Sequence, residues 1–187
     1  MNRRWQIVIA VILLVDALAL ALWLQWRREN RFDSRIKFAA EKYGIDPALV
    51  KAVVWRESKF KPEVRGKAGE IGLMQIRDLA ANEWAQAEKI PDFHHENIID
   101  AQTNTLAGAW YLARLLKRYQ GTDNPVPFAL ADYNAGRTRV LKWLTGAGKT
   151  NQVKFMEQMD YPGTKNYIVA ITNRAPRYRR DFPVAMR

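Results

Sequence analysis

The pattern of apolar and polar positions divides the chain into an apolar N-terminal stretch and a longer body with helical periodicity. Residues 7–24, IVIAVILLVDALALALWL, form an apolar run interrupted only by Asp16. This length is close to what a helix needs to cross the hydrocarbon layer, and tryptophans stand near both ends, where interfacial aromatics are found. We therefore expect residues 1–26 to be a membrane anchor and residues 27–34 to be a charged juxtamembrane linker.

Two alternatives to an uncleaved anchor stay open for this segment. A central acid such as Asp16 costs roughly 2.5–3.5 kcal/mol on insertion scales, which the surrounding Leu, Ile and Val can offset. Small residues over 17–21 resemble signal-peptide cleavage sites, and a buried core helix is the other alternative. The apolar run continues past those sites, which favours the anchor. Basic residues flank both ends, so charge does not settle the orientation.

The body of the chain, residues 35–187, reads as one mainly α domain. Asp46 suits a helix N-cap and Pro47 the first helical position after it. Residues 61–72 contain one proline and three glycines and are expected to be irregular or a small hairpin. Strand signals are nearly absent. Apolar periodicity and end signals predict helices over 34–44, 47–58, about 75–87, 98–121, about 127–136 and 166–174, followed by a basic tail that contains Pro176 and Pro183.

Composition narrows the class of partner. The formal net charge is +11, most of it outside the N-terminal segment, which favours nucleic acid, anionic lipid or an acidic cell-wall polymer. No helix-turn-helix or RNA-binding signature supports nucleic acid, so we expect none. Cysteine is absent, which excludes a disulfide framework, a thiol nucleophile and a thiolate metal site.

Glu57, at the end of the predicted helix 47–58, is the candidate acid. Apolar neighbours on that helix and the negative end of its dipole both disfavour the charged carboxylate, and so favour a raised pKa. A carboxyl group that is protonated near neutral pH suits a general acid. Arg56 and Lys59 would oppose this shift, but their spacing suggests that they project elsewhere. The alternative is an ordinary solvated glutamate at a helix end.

The residues that follow the candidate acid form a pattern over the helix end and the insert: Glu57, Ser58, Phe60, Pro62, Gly69, Gly72, Leu73, Met74 and Gln75. This pattern resembles the first signature of the lytic transglycosylase family with a goose-type lysozyme-like fold. Three further segments resemble later signatures of the same family and come in the family's order. They are residues 97–98 together with 108–112, residues 129–136 and residues 164–168. The resemblance spans about residues 36–175. It departs from the family at Gly66, where Ser is common, at 78–81, where Pro-x-Thr-Ala is common, and at Gly163, where Glu is common.

The resemblance implies cleavage of peptidoglycan between N-acetylmuramic acid and N-acetylglucosamine. It implies that Glu57 protonates the glycosidic oxygen and then takes a proton from the C6 hydroxyl of the same sugar, which closes a 1,6-anhydro ring. The N-acetyl group assists, and no second carboxylate, metal or cofactor is implied. The loop acids Glu63 and Glu70 are expected to be solvated. Residues expected to contact substrate are Ser58, Met74, Gln75, Tyr133, Asn134 and Tyr167, although helix capping or core packing could explain individual members.

His94 and His95 suggest a metal site only weakly, because adjacent side chains point to different sides and no cysteine joins them. We expect no metal ion. Two competing functions remain: a goose-type lysozyme-like hydrolase, which needs a second carboxylate to activate water, and a non-catalytic wall-binding module held at the membrane. The expected partners are the glycan strand and the cytoplasmic membrane, with the domain on its outer face.

Overall fold

A computed structural model describes residues 2–183 of the chain, and this part is mainly helical. The described residues contain no strand, which confirms the prediction of an α fold. Three short 3₁₀ segments, His95–Ile99, Gly146–Lys149 and Arg179–Asp181, complete the regular structure. The α-helices are α1 Arg3–Asn30, α2 Asp33–Tyr43, α3 Pro47–Ser58, α4 Asp78–Ala87, α5 Ala101–Arg118, α6 Pro125–Ala135, α7 Arg137–Trp143, α8 Gln152–Gln158 and α9 Pro162–Tyr178.

The chain separates into two compact units, Met1–Phe32 and Asp33–Arg187. The first is formed by α1, which is long and apolar enough to cross a membrane. None of its side chains is buried, unlike those of a core helix in a soluble protein. The helix continues to Asn30, so residues 27–30 of the expected linker are helical.

The second unit is built around α3. This helix packs against α2 and α9, while α5 packs against α2 and α6, and α6 against α9. Residues 48–54 of α3 are all buried. The predicted start is confirmed: the Asp46 side chain accepts a hydrogen bond from the Ala48 N–H over 2.8 Å, and Pro47 follows the cap. Local capping signals and apolar content therefore suffice to define the central helix.

A buried lysine ties α3 to both ends of this unit. Lys51 is fully buried, and its Nζ lies 2.7 Å from Asp33 Oδ1 and 2.9 Å from Asp181 Oδ2. The rings of Tyr178 and Phe182 lie 4.9 and 5.5 Å from the same nitrogen. A buried charge is tolerated when it is paired in this way.

The insert after α3 is irregular, as expected, and its hairpin character is limited to two isolated bridges. These join Arg65 to Ile71 and Ile71 to Ile76. Both bridges are antiparallel, so the chain reverses direction twice, and residues 66–70 form the turn between the first bridged pair. This arrangement places the insert beside the C-terminal end of α3, where Glu57 lies.

Several predicted boundaries were wrong. α4 begins at Asp78 because Gln75 has a left-handed φ of 49° and cannot start a helix. The segment 98–121 is split, since Asp100 is extended and its carboxylate caps α5. α9 is longer than predicted and runs through Pro176. The helices α7 and α8 were not predicted, because each has only seven residues.

Candidate active site

Glu57 lies half-buried at the C-terminal end of α3, where two left-handed residues stop the helix. Lys59 has a φ of 53° and Phe60 a φ of 62°. The Lys59 N–H donates to the Trp55 carbonyl as the last turn closes. Positive φ is uncommon in residues other than glycine. The tight helix end places the carboxyl group of Glu57 at the start of the irregular insert.

The Tyr167 hydroxyl, on α9, donates a hydrogen bond to Glu57 Oε1 over 2.5 Å. Burial raises the pKa of Glu57 from 4.5 to about 7, while the hydrogen bond from Tyr167 and the positive charge of Arg56 act to lower it. The negative charge of Glu70 adds to the rise. The predicted direction of the shift is confirmed. The expectation that Arg56 projects elsewhere was wrong, because its guanidinium lies over the Tyr167 ring, 5.4 Å from the centroid.

Tyr133, on α6, is the second phenol of the site. Its hydroxyl donates to the Met74 carbonyl over 2.7 Å, and its ring packs against Tyr111 with centroids 5.5 Å apart. Burial raises the pKa of Tyr133 and that of Tyr167, and the negative charge of Glu57 adds a smaller rise to both. Both phenols therefore keep their protons near neutral pH and act as hydrogen-bond donors.

A buried asparagine, which sequence reasoning missed, holds the turn after the insert. Asn104 Nδ2 donates to the carbonyls of Ile71 and Ile98, over 2.8 and 2.9 Å, and its Oδ1 accepts from the Met74 N–H over 2.7 Å. A Cβ at Gly72 would lie 2.2 Å from Asn104 Nδ2, and Gly72 has a φ of 83°. Glycine is therefore required where the turn meets α5. Asn104 stands among several polar residues of the predicted helix, so the sequence carried no signal that singled it out.

The Met74 side chain packs into the core and not into an open cleft. It is fully buried, and a Cβ at Gly108 would lie 2.3 Å from its sulfur. The structure brings the Met74 backbone, and not its thioether, into the network that surrounds Glu57, through the carbonyl that accepts from Tyr133.

Gln75 uses its amide nitrogen within the insert. Its Nε2 donates to the carbonyls of Val64 and Gly72, over 3.0 and 2.9 Å. Both amide protons are thereby engaged, so the carbonyl oxygen is the part of this side chain that is left for a ligand. Gln75 precedes α4 and so is not a helix N-terminal residue, but its amide does bond the backbone of its own segment, as the alternative to a substrate contact expected.

The two remaining expected contacts, Ser58 and Asn134, differ. Ser58 is buried and its hydroxyl donates to the Val54 carbonyl over 3.1 Å, so the structure does not bring it to the surface of the site. Asn134 is exposed at the end of α6, and its Oδ1 accepts from the Thr164 hydroxyl over 2.8 Å. Asn134 therefore presents an oriented amide to solvent.

The two histidines contribute to local structure. His95 Nε2 lies 3.0 Å from the Ile76 carbonyl, and the His94 N–H donates to Asn97 Oδ1 over 2.8 Å. Across residues 2–183, no group of three or more His, Cys, Asp or Glu side chains is arranged to hold a metal ion.

A protein-family model, the transglycosylase SLT domain, matches residues 34–156. This range includes Glu57, the Met74 turn and Asn134, and it ends before Tyr167. The match covers more than half of the chain and agrees with the family resemblance seen in the sequence.

Relatives with known names and structures agree with the family model. The chain is 33% identical over 126 residues to the soluble lytic murein transglycosylase of Salmonella typhimurium, covering 66% of this chain and 19% of the relative. It is 33% identical over 114 residues to the membrane-bound lytic murein transglycosylase F of Desulfosudis oleivorans, covering 59% and 23%. An inactive glutamate-to-glutamine mutant of the lytic transglycosylase Slt from Pseudomonas aeruginosa superposes with a TM-score of 0.71 at 25% identity, covering 79% and 24%. The chain thus spans about a fifth to a quarter of the length of these relatives.

Proposed function

The chain belongs to the transglycosylase SLT family, and on this premise we propose that it cleaves the glycan strand of peptidoglycan without consuming water. The bond broken is the β-1,4 link between N-acetylmuramic acid and N-acetylglucosamine. The observation that carries this proposal is the half-buried carboxyl group of Glu57, with a pKa of about 7 and a hydrogen bond from Tyr167. The mutant of the Pseudomonas aeruginosa relative in which one glutamate is exchanged for glutamine is inactive, and this supports a glutamate as the acid.

In the first step, Glu57 gives its proton to the glycosidic oxygen as the bond from that oxygen to C1 of the muramic acid breaks. The substrate's own N-acetyl group stabilises the positive charge that develops at C1. Tyr167, which donates to Glu57 Oε1, leaves the other carboxyl oxygen of Glu57 to carry the transferred proton. A pKa near the working pH is the condition under which this transfer is efficient.

In the second step, the Glu57 carboxylate takes the proton of the C6 hydroxyl of the same muramic acid, and O6 bonds to C1. The products are a 1,6-anhydromuramoyl end and a free 4-hydroxyl, and Glu57 regains its proton. A single carboxyl group thus acts as acid and then as base, whereas hydrolytic glycosidases use two carboxyl groups.

We further propose that α1 keeps the enzyme at the cytoplasmic membrane, with residues 35–187 as the catalytic domain on the outer side. Support comes from the length and exposed apolar surface of α1 and from the membrane-bound relative. Fractionation with an antibody against the domain tests this attachment. A full-length protein in the membrane fraction is expected, and a shortened soluble form would indicate a cleaved signal instead.

Product analysis tests the reaction itself. Full-length protein in a mild detergent is incubated with purified sacculi, and the released muropeptides are read by mass. We expect anhydromuramoyl ends, which are lighter than reducing ends by one water molecule. Reducing ends would show a hydrolase of the goose-type lysozyme kind, and no release with retained binding to sacculi would show a wall-binding module.

A further inference from the structure

Arg56, the residue before the acid, is half-buried and stacks on the ring of Tyr167. Its guanidinium carbon lies 5.4 Å from the ring centroid, which is within the range of a cation–π contact. Within the described part of the chain, Arg56 forms no ion pair with a carboxylate. The ring of Tyr167 is therefore the contact that holds this cation in place.

The ring under Arg56 belongs to the same tyrosine whose hydroxyl reaches the acid. The Tyr167 hydroxyl donates to Glu57 Oε1 over 2.5 Å, and Tyr167 is buried. Residues 56 and 57 project about 100° apart around α3, so one side chain covers the face of the ring while the other meets its hydroxyl. Two direct contacts thus run in series, from guanidinium to ring and from hydroxyl to carboxyl group.

We propose that Arg56 is a positioning residue for Glu57 that acts through Tyr167. The guanidinium holds the phenol ring in place, and its charge polarises the ring so that the hydroxyl is a stronger hydrogen-bond donor. That hydrogen bond is strongest when Glu57 is a carboxylate, which is its state between the two proposed proton transfers. Arg56 therefore stabilises this state without exchanging a proton itself. The role rests on the proposed function of Glu57.

The groups that face Glu57 determine the direction of the pH effect. Burial is the largest influence on the pKa of Glu57 and raises it, while the hydrogen bond from Tyr167 on α9 and the charge of Arg56 lower it. Glu70, which the sequence predicted to be solvated, is only 26% exposed in the insert and adds to the rise. The phenol of Tyr133 on α6 keeps its proton near neutral pH. Removal of the Arg56 charge is therefore expected to raise the pKa of Glu57 and to move the alkaline limb of activity to higher pH.

The first test is a titration of the Glu57 carboxyl carbon by NMR in full-length protein labelled with ¹³C-glutamate, with the signal assigned by its loss in Glu57→Gln. We expect Arg56→Gln to raise the pKa of Glu57 by about 0.3–0.8 pH unit, as for unit charges about 4–10 Å apart at the dielectric constant of water. Arg56→Lys keeps the charge and is expected to titrate close to wild type. The matched control is Arg139→Gln, because Arg139 lies 5.1 Å from the ring centroid of Tyr161, an exposed tyrosine.

The second test is a double-mutant cycle on the rate of muropeptide release. Arg56→Gln alone is expected to lower kcat/KM about 3- to 10-fold, the size of a cation over an aromatic ring. Tyr167→Phe keeps the ring under the guanidinium and removes the hydroxyl. In that background we expect Arg56→Gln to change kcat/KM by less than about twofold. Equal effects in the two backgrounds would show that Arg56 acts directly on Glu57 by its charge, and would refute the role through Tyr167.

Other results also decide the proposal. If Arg56→Gln titrates like Arg139→Gln, Arg56 does not position the acid. A higher KM with an unchanged kcat and an unmoved alkaline limb would refute the role too, since Arg56 would then bind substrate. Arg56→Met is a second uncharged variant, so that the test does not depend on the folding of Arg56→Gln. A wild-type chain that cleaves nothing refutes the proposed function instead, and the titration, which needs no substrate, separates the two results.

Discussion

The hydroxyl of Tyr167 and the carboxylate of Glu57 meet across 2.5 Å although 110 residues separate them along the chain. The contact joins α9 to the end of α3, two helices that pack against each other. Because Tyr167 is buried, its hydroxyl is fixed by the core, and the orientation of Glu57 is fixed in turn. The geometry of the acid therefore depends on the packing of the whole domain.

Tyr167→Phe tests this relationship. The phenol lowers the pKa of Glu57, so its removal is expected to raise that pKa and move the alkaline limb of activity to higher pH. The rate constant kcat/KM is expected to fall about 10- to 100-fold, as for a hydrogen bond to a charged group. The measurement is the pH profile of muropeptide release, with Tyr161→Phe, an exposed tyrosine, as the control. A limb that stays in place would contradict the role of Tyr167.

The raised pKa of Glu57 predicts a pH dependence of stability. Between about pH 4.5 and 7 the folded state binds more protons at Glu57 than the unfolded state does, so the free energy of unfolding falls as pH rises through this window. Glu57→Gln removes this dependence and should make the protein about 1–3 kcal/mol more stable than wild type at pH 8. Urea unfolding at pH 5 and pH 8, followed by tryptophan fluorescence, measures it. If the two proteins have equal free energies of unfolding at pH 8, the pKa of Glu57 is not raised in the folded state.

Asn104→Ala is expected to loosen the turn that holds the Met74 backbone. Three buried backbone groups lose their partner, so the free energy of unfolding should fall by about 2–4 kcal/mol. The control variant is Asn82→Ala, in α4, where the side-chain amide donates exposed hydrogen bonds to Asp78. Urea unfolding that gives the same loss for both variants would show that Asn104 does not hold the turn.

Lys51→Met tests the buried ion pairs that join α3 to both ends of the domain. The change leaves Asp33 and Asp181 without the cation they share, and should cost about 3–5 kcal/mol of unfolding free energy. Adding Asp33→Asn and Asp181→Asn removes the two negative charges that Lys51 neutralised. The triple variant is therefore expected to regain part of the lost free energy of unfolding. If the triple variant is no more stable than Lys51→Met, the loss comes from packing around the lysine and not from charge.

The parts of the site that could be predicted from the sequence are those with local signals. The start of α3 follows from Asp46 and Pro47, and the raised pKa of Glu57 follows in direction from its apolar helix. The spacing of Gly69 and Gly72 indicated a constrained insert, and both glycines have positive φ.

The parts that could not be predicted depend on contacts between distant segments. Asn104 reads as one polar residue among several in a long amphipathic helix, and only the folded turn shows its three hydrogen bonds. Lys51 is a charged residue within the apolar sequence of α3. Its burial could not be predicted, because the partners that neutralise it, Asp33 and Asp181, lie far from it in the sequence. Ser58 matches the family signature but folds back onto Val54, so a motif residue need not be a contact residue.

Release of anhydromuropeptides from sacculi by wild type and Glu57→Gln, compared side by side, tests the central claim most directly. The amide keeps the size of the carboxyl group but can neither give the proton to the glycosidic oxygen nor take one from the C6 hydroxyl. General acid–base catalysis contributes about 10²–10⁴-fold per transfer, and Glu57 is proposed to serve both. The account predicts near-complete loss in a variant that unfolds cooperatively, with Glu63→Gln close to wild type. A folded Glu57→Gln protein that keeps half of the wild-type rate would contradict it.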